Sequence, residues 1–179
     1  MKRVAMFKKV SFEQFKKDWI DTFGENWLRE MHTNEVENLE EIYGNIKLPK
    51  RSSSGSAGND FFSPVTFVLE PNETIKIPTG IRCYMEEGWV LKCYPRSGQG
   101  FKYRLQLNNT VAIIDQDYYY SDNEGHIMVK LTNDTNENKT IEVKMGVGIM
   151  QGIFVEYGIT MDDVVSEIRN GGLGSSDKK

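Results

Sequence analysis

Short apolar runs separated by turn residues dominate the chain after residue 46, and they constrain the fold more than any other feature. Turn-forming residues such as Pro71, Gly80 and Gly88 stand between them. The runs occupy residues 65–69, 75–77, 81–85, 89–94, 111–114, 127–131, 140–143 and 149–155. Many short strands at this spacing are typical of a β-sandwich or β-barrel, whereas βαβ units would place a helix between successive strands. The sequence therefore predicts a mainly β domain.

The first 45 residues have a helical pattern instead. Ser11 and Gln14 have the spacing of a capping box, and apolar residues then recur at helical intervals as far as Phe23. A similar pattern follows Asn34 and ends before Gly44. We expect these helices to dock by their apolar faces, and we prefer this packing role over the binding of a partner.

The chain is thus predicted to have three segments. Residues 1–46 form an N-terminal helical extension, 47–158 the β-domain, and 159–179 a short helix followed by a glycine-rich C-terminal arm. Thr160 and Asp163 have the spacing of a helix cap, which predicts a helix over 160–168.

Charge and composition exclude several classes of protein. The net charge is -4, and an acidic chain repels a long polyanion, so we expect no binding to a nucleic-acid polymer. No apolar stretch approaches the roughly 18 residues of a membrane span, and the charged start excludes a signal peptide. The two cysteines, Cys83 and Cys93, fit a reducing compartment, so the expected location is cytoplasmic.

Two polar segments follow apolar runs directly. Arg96, Ser97 and Gly98 combine a guanidinium fork, a hydroxyl and an accessible backbone N–H, which suits an anion, although a surface turn explains the same residues. Asp115 ends an apolar run, where a carboxylate can take a proton from water, and Tyr118 can stack on a sugar or base. The alternative for this second segment is a strand followed by an Asp-rich turn.

The C-terminal segment from Arg169 to Ser176 places glycines and serines behind an arginine, a composition that can wrap phosphates. It is not a Walker loop, because Lys178 has the wrong spacing, and a mobile tail is the alternative. His32 and His126 show no metal-ligand spacing, so any metal is expected to arrive with an anionic substrate.

Five motifs in order, at residues 55–60, 95–98, 109–118, 146–154 and 169–176, resemble those of the trimeric dUTP diphosphatases. Residues 77–81, Ile-Pro-Thr-Gly-Ile, also match between the first two motifs. The resemblance covers about residues 47–177 and leaves the helical extension outside the common core. It implies a jelly-roll-like β-barrel or sandwich, a homotrimer with three active sites each built from all three subunits, and hydrolysis of dUTP to dUMP and pyrophosphate with Mg²⁺.

The resemblance also implies roles for individual residues. Asp115 matches the carboxylate that activates the attacking water, Tyr118 the ring under the deoxyribose that disfavours a 2′-hydroxyl, and Asn109 the asparagine of the uracil hairpin. Asp60 matches an acid that orders water around the magnesium ion. The residues that match phosphate contacts or the closing arm are Arg96, Ser97, Gly98, Gln151, Arg169, Leu173, Ser175 and Ser176.

Some positions depart from the family pattern. Leu173 stands where a stacking phenylalanine is usual, Gly148 where many members have an arginine, and Ala112 where a hairpin glycine is common. Asp177 replaces the final glycine, and residues 119–124 extend the third motif. These changes predict weaker capture of the substrate by the arm and one phosphate contact that is missing or replaced.

Two other functions remain open at this point. A dCTP deaminase-type enzyme shares the fold, but it needs a further acid beside the base, and ammonia release from dCTP would reveal it. A non-catalytic nucleotide-binding or regulatory protein on the same scaffold would bind dUTP without turnover. Asp115 argues against the second alternative, because a pure binder gains nothing obvious from that acid.

Overall fold

The computed structural model describes residues 2–27, 38–167 and 169, and it confirms a mainly β fold. The helices are α1 (Phe12–Phe23), α2 (Leu39–Asn45) and α3 (Ser97–Tyr103), with a 3₁₀ helix at Gln116–Tyr120. The strands are β1 (Ala5–Lys9), β2 (Lys50–Arg51), β3 (Asn59–Phe62), β4 (Phe67–Leu69), β5 (Thr74–Pro78), β6 (Ile81–Met85), β7 (Trp89–Tyr94), β8 (Leu105–Leu107), β9 (Ala112–Ile114), β10 (Met128–Asn133), β11 (Ile141–Val143) and β12 (Gly148–Glu156).

The strands form antiparallel sheets whose apolar faces meet in one core. The largest sheet has the order β2-β3-β12-β7-β9, and a second has the order β5-β10-β8. β1 pairs with β6, and β4 with β11. In β10, Val129 and Leu131 are buried while Lys130 is exposed, which is the alternation that the sequence predicts. Each of the eight predicted runs overlaps one of these strands, so the jelly-roll-like β-fold is confirmed.

The first strand corrects the prediction that the chain begins only with helices. β1 pairs antiparallel with β6, so that Phe7 lies opposite Cys83. The ring of Phe7 packs edge-on against Phe61 of the large sheet, at 5.4 Å between centroids. A five-residue segment with two lysines has too little periodicity to reveal a strand by itself, and the pairing with β6 decides its conformation.

Helix α1 is docked, as its apolar stripe predicts. Phe15 and Trp19 are fully buried and share the core with Ile42 of α2 and Ile77 of β5. The side chain of Ser11 caps α1 by accepting from the N–H of Gln14. The cap of α2 is Asn38, and the cap expected at Asn34 lies outside the described residues.

The predicted helix over 160–168 is wrong for 160–167, which form a single turn and then irregular chain. The N–H of Asp163 donates to the carbonyl of Thr160 at 3.2 Å, but no helix follows. Met161, Val164 and Val165 are all exposed, so among the described residues they contact no apolar surface that could stabilise a helix whose own propensity is marginal.

Among the residues that the structure describes, no helix is long and apolar enough to cross a membrane. Cys83 and Cys93 are free and buried.

Candidate active site

One cluster of polar residues forms where β3, β12 and the end of β7 meet. The guanidinium of Arg96 donates to both carboxylate oxygens of Asp60, from Nε at 3.1 Å and from Nη2 at 3.2 Å. Gln151 lies opposite Asp60 in the sheet, and its Nε2 donates to the carbonyl of Pro95 at 3.1 Å. The structure therefore brings together Asp60, Arg96 and Gln151, which the sequence placed in three separate motifs.

Gly148 provides the space in which Arg96 lies. A Cβ atom at position 148 would stand 2.8 Å from Nη1 and 2.9 Å from Cζ of Arg96, closer than real Cβ contacts allow. Arg96 Nη1 also donates to the Gly148 carbonyl at 3.3 Å. The departure at this position thus has a structural consequence, because the missing side chain lets the Arg96 guanidinium lie flat against β12.

Ser97 and Gly98 begin helix α3, whereas the sequence placed them in a turn. Both residues are exposed. Arg96 precedes them with extended backbone and makes no capping hydrogen bond with its side chain, which points instead to Asp60.

A second cluster surrounds Asp115 at the end of β9. The carboxylate of Asp115 is 44% exposed, and its Oδ2 lies 2.5 Å from Nη2 of Arg169. Nε of the same guanidinium lies 3.1 Å from Oδ1 of Asp117, and its Cζ lies 6.0 Å from the centre of the Tyr118 ring. Arg169 is therefore paired with two carboxylates, those of Asp115 and Asp117, next to the buried tyrosine. Asp117 was not predicted as a site residue, although its position two residues after Asp115 is a signal for it.

Tyr118 is held by a loop that follows the 3₁₀ helix. Its hydroxyl donates to the carbonyl of His126 at 2.8 Å and accepts from Nδ2 of Asn123 at 2.8 Å. Burial raises the pKa of Tyr118, and the hydrogen bond from Asn123 offsets this only in part. The phenol is consequently neutral near pH 7, and its ring has a fixed orientation.

Asn109 lies in the turn between β8 and β9. The next residue, Thr110, has φ +63°, an unusual conformation for a β-branched side chain. Asn109 and Ala112 line a cavity of about 270 Å³ together with Met128 and Met150. Its volume approaches the lower end of the range for small-molecule pockets.

The two polar clusters lie at opposite ends of β7. β9 runs antiparallel to β7 with Leu91 opposite Ile114, so Asp115 follows at the level of Val90. Arg96 comes six residues after Val90, and at about 3.3 Å per residue this separates the two clusters by roughly 20 Å. One chain therefore does not bring Asp115 and Arg96 into a single site. Leu173, Ser175 and Ser176 lie outside the described residues.

The contacts that hold the Tyr118 loop include residues that sequence reasoning missed. Asp18, on α1, lies 2.5 Å from the fully buried ring of His126. Neither residue belongs to a motif, and they are 108 positions apart in the chain, so no local pattern predicts their contact.

Comparisons with known proteins agree with this architecture. A family model described as dUTPase matches residues 44–177. The deoxyuridine 5′-triphosphate nucleotidohydrolase of Lactococcus lactis subsp. lactis is 41% identical over 134 residues, which cover 73% of this chain and 88% of the relative. The crystal structure of dUTPase from Streptococcus mutans is similar with a TM-score of 0.57 and 31% identity, covering 72% of this chain and 94% of that one.

A further solved structure shares the fold. It is a mutant dUTPase from phage phi11 of S. aureus, described as revealing the coordination of a structural Mg(II) ion. The similarity has a TM-score of 0.55 and 24% identity, and it covers 69% of this chain and 92% of the phage protein.

Proposed function

Because the chain belongs to the dUTPase family, it hydrolyses dUTP to dUMP and pyrophosphate, and we propose that Asp115 activates the attacking water. The carboxylate stands at the end of β9 and is partly open to solvent, so a water molecule can reach it. As the water oxygen attacks phosphorus, Asp115 takes one of its protons. Pyrophosphate leaves when the bond between the α-phosphorus and its bridging oxygen breaks.

Tyr118 is proposed to lie under the deoxyribose. A ring that is held by two hydrogen bonds on its hydroxyl has little freedom to retreat, so an additional 2′-hydroxyl on the sugar would meet a rigid apolar face. The turn at Asn109 is proposed to read the uracil, mainly through its backbone groups, and Ala112 narrows the neighbouring cavity.

Arg96, Ser97, Gly98 and Gln151 are proposed to contact the triphosphate. Arg96 is preorganised by Asp60, which holds the guanidinium plane through two hydrogen bonds. Arg169 is proposed to move from Asp115 and Asp117 to the phosphates when substrate binds, and Leu173, Ser175 and Ser176 to close with it.

A magnesium ion fits this chemistry as a companion of the substrate. Among the described residues no group of three or more His, Cys, Asp or Glu side chains forms a metal cage. Mg²⁺ in triphosphate sites keeps several waters and uses one or two carboxylates together with phosphate oxygens, which matches Asp60 acting through water. When bound, the ion offsets part of the negative charge of the triphosphate. The phage phi11 dUTPase, whose structure reveals the coordination of a structural Mg(II) ion, is a protein of the same fold that binds this metal.

The distance between the two clusters carries the proposal of a homotrimer. Asp115 and Arg96 lie roughly 20 Å apart along β7, too far for one bound nucleotide to place its α-phosphate at both. A site that joins the Asp115 cluster of one copy to the Arg96 cluster of another removes the difficulty, and a closed ring of three copies gives three equal sites.

The hydrolytic role is tested by pyrophosphate release from dUTP in the presence of Mg²⁺. We expect wild type to release pyrophosphate and Asp115→Asn to lose at least a thousandfold in kcat. Full activity of that variant would show that another group is the base. Release of ammonia from dCTP would instead support the deaminase alternative.

The shared site has its own test. We expect Arg96→Ala and Asp115→Asn to be inactive alone and to regain activity when they are co-expressed. In random mixed trimers half of the sites receive an intact Asp115 and half of those an intact Arg96, so about a quarter of the wild-type rate returns. No recovery in trimers shown to be mixed would place each site within one chain.

A cytoplasmic location is also proposed. Both cysteines are free thiols in the core, and burial raises the pKa of Cys93 to about 12. Free cysteines are common where thiols are kept reduced.

A further inference from the structure

We infer that helix α1 positions Tyr118 for sugar selection, by holding the loop that supports the tyrosine; this rests on the proposed role of Tyr118. The loop, residues 119–126, is called the tyrosine loop below. It contains residues 119–124, which extend the third motif, and α1 lies in the N-terminal segment outside the common family core. The structure thus joins two segments that depart from the family pattern.

The first link joins Asp18 to His126. The Gly80 N–H donates to His126 Nε2 at 2.7 Å, so this nitrogen carries no proton and Nδ1 donates to the Asp18 carboxylate at 2.5 Å. The His126 side chain is fully buried, and both of its nitrogens are occupied. Removing the carboxylate would leave a buried N–H without its acceptor, which is costly enough to move the ring.

The second link joins His126 to Tyr118. The carbonyl of His126 accepts the phenolic O–H of Tyr118, and the N–H of His126 donates to the carbonyl of Asn123 at 3.1 Å. Asn123 in turn donates to the Tyr118 hydroxyl. His126 and Asn123 are therefore linked through their backbones, and both form a hydrogen bond with the phenol.

A second contact with α1 lies at the helix start. Ser11 donates to Glu124 from its backbone N–H at 2.8 Å and from its Oγ at 2.6 Å. Glu124 has φ +57°, a strained conformation that needs support from its surroundings. Arg82 adds to that support, because its Nη1 lies 3.8 Å from the Glu124 carboxylate and its Nη2 donates to the carbonyl of Tyr119 at 2.6 Å.

The tyrosine loop is packed tightly against Tyr118 at Gly125. Gly125 has φ +67°, and a Cβ atom there would stand 2.5 Å from the backbone oxygen of Tyr118. The end of the loop is therefore folded directly against the residue that it supports. A shift of the loop away from α1 removes both hydrogen bonds on the phenol at the same time.

Core packing alone does not account for these polar contacts. Phe15 and Trp19 already anchor α1 in the core through their buried rings. Ser11 and Asp18 add hydrogen bonds from two points of the helix, and both reach the tyrosine loop. Through these hydrogen bonds α1 holds the tyrosine loop against Tyr118, so Asp18 and Ser11 are assigned as positioning residues.

The test compares dUTP with UTP. We expect Asp18→Ala to lower the ratio of kcat/KM for dUTP to kcat/KM for UTP about tenfold, mainly through a higher kcat/KM for UTP, with kcat for dUTP changed less than threefold. Asp18→Asn keeps an oxygen that accepts from His126 Nδ1–H and should restore the ratio to within about threefold of wild type. Asp21→Ala removes an exposed carboxylate from the same helix and is the matched control, with the ratio unchanged.

A second variant and a second measurement guard against misfolding. Ser11→Ala removes one of the two donors to Glu124 together with the cap of α1 at the Gln14 N–H, and it should lower the ratio in the same direction by a smaller factor. Hydrogen exchange of residues 118–126 should be faster in Asp18→Ala than in Asp21→Ala, whereas the β-strands should be equally protected in the two variants. If Asp18→Ala and Ser11→Ala melt at a lower temperature but keep the wild-type dUTP/UTP ratio and the wild-type protection of the tyrosine loop, α1 only stabilises the fold and the inference is wrong.

The outcomes also separate this inference from the function on which it rests. If wild type fails to hydrolyse dUTP, the proposed function fails and the selectivity claim fails with it. If wild type is active and selective while Asp18→Ala is equally selective, only the positioning of Tyr118 by α1 is refuted. Faster loop exchange with unchanged selectivity would likewise show that the loop does not control the sugar.

Discussion

A single methyl group at position 148 should separate Arg96 from Asp60. In Gly148→Ala the new Cβ would stand 2.8 Å from Arg96 Nη1, 2.9 Å from Cζ and 3.0 Å from Nε. An ordinary contact of this kind is about 3.4 Å, so the guanidinium must move by roughly 0.5 Å. The strand backbone is held by pairing with β3 and β7, whereas the end of the arginine side chain is free to shift, so the arginine moves.

The expected loss follows from the geometry of the ion pair. A movement of about 0.5 Å lengthens Arg96 Nε to Asp60 Oδ1 from 3.1 Å to about 3.6 Å, beyond a useful hydrogen bond. The two side chains are 36% and 18% exposed, so solvent screening limits the stability cost to about 1 kcal/mol or less. Such a loss lowers the melting temperature by about 2–4 °C for a chain of this size.

The larger effect should be on the substrate, because a displaced guanidinium no longer presents its donors to the triphosphate. We expect KM for dUTP to rise about five- to tenfold, with kcat within about threefold of wild type. Steady-state kinetics and thermal unfolding measure the two effects. Gly158→Ala is the control, since a Cβ there meets nothing within 4 Å. An unchanged KM in Gly148→Ala would refute the view that the position of the Arg96 guanidinium against β12 controls phosphate binding.

Three further predictions concern the tyrosine loop and the core. Gly125→Ala should lower the free energy of unfolding by about 2 kcal/mol or more and weaken dUTP binding, because the positive φ of Gly125 and its contact with the Tyr118 backbone leave no room for a Cβ atom. Urea unfolding and KM measure the two effects, and an unfolding midpoint equal to that of wild type would contradict the prediction. The pKa values of Asp18 and Glu124 lie below their ordinary values of 3.8 and 4.5. Burial by itself would raise both, but it is outweighed by hydrogen bonds from His126 and Gln14 to Asp18 and from Ser11 to Glu124. Their stabilisation is complete above those ordinary values and is lost as pH falls through the folded ones; urea titrations from pH 6 to pH 3 should show a shallower loss for Asp18→Asn, and equal slopes would count against the coupling. Cys93 should resist a thiol reagent at pH 8 in the native state, because burial raises the pKa of its thiol to about 12, and should react on unfolding; rapid labelling of native protein would show that β7 opens.

The β-strands with clear alternation or continuous apolar runs were predictable, and some of the other elements were not. β10 and β12 carry their own patterns, and the structure places strands there. β1, β2 and β8 are short or charged, and their conformation depends on a partner strand from elsewhere in the chain. The predicted helix near residue 160 is wrong for a related reason, because its apolar side chains are exposed and contact no stabilising surface in the part of the chain that the structure describes.

The candidate site shows the same division. The ordered motifs, which include Arg96 and Asp115, indicate a dUTP diphosphatase through their resemblance to that family, and they predict candidate site residues. The sequence could not show that Asp60 orients Arg96, that Gly148 makes room for it, or that Asp115 lies at the other end of β7. These relations depend on strand pairing, which joins residues that are distant in the chain.

By itself, the sequence determined the β class and the family, and it predicted candidate residues for the site, because local periodicity and ordered motifs are properties of neighbouring residues. Only the tertiary structure decided that the N-terminal helix supports the tyrosine loop. The contact between Asp18 and His126 spans 108 positions, and such a contact arises from how the core packs and not from any local pattern. The physical reason is that a hydrogen bond depends on distances in space, which the chain sets only after its strands have found their partners.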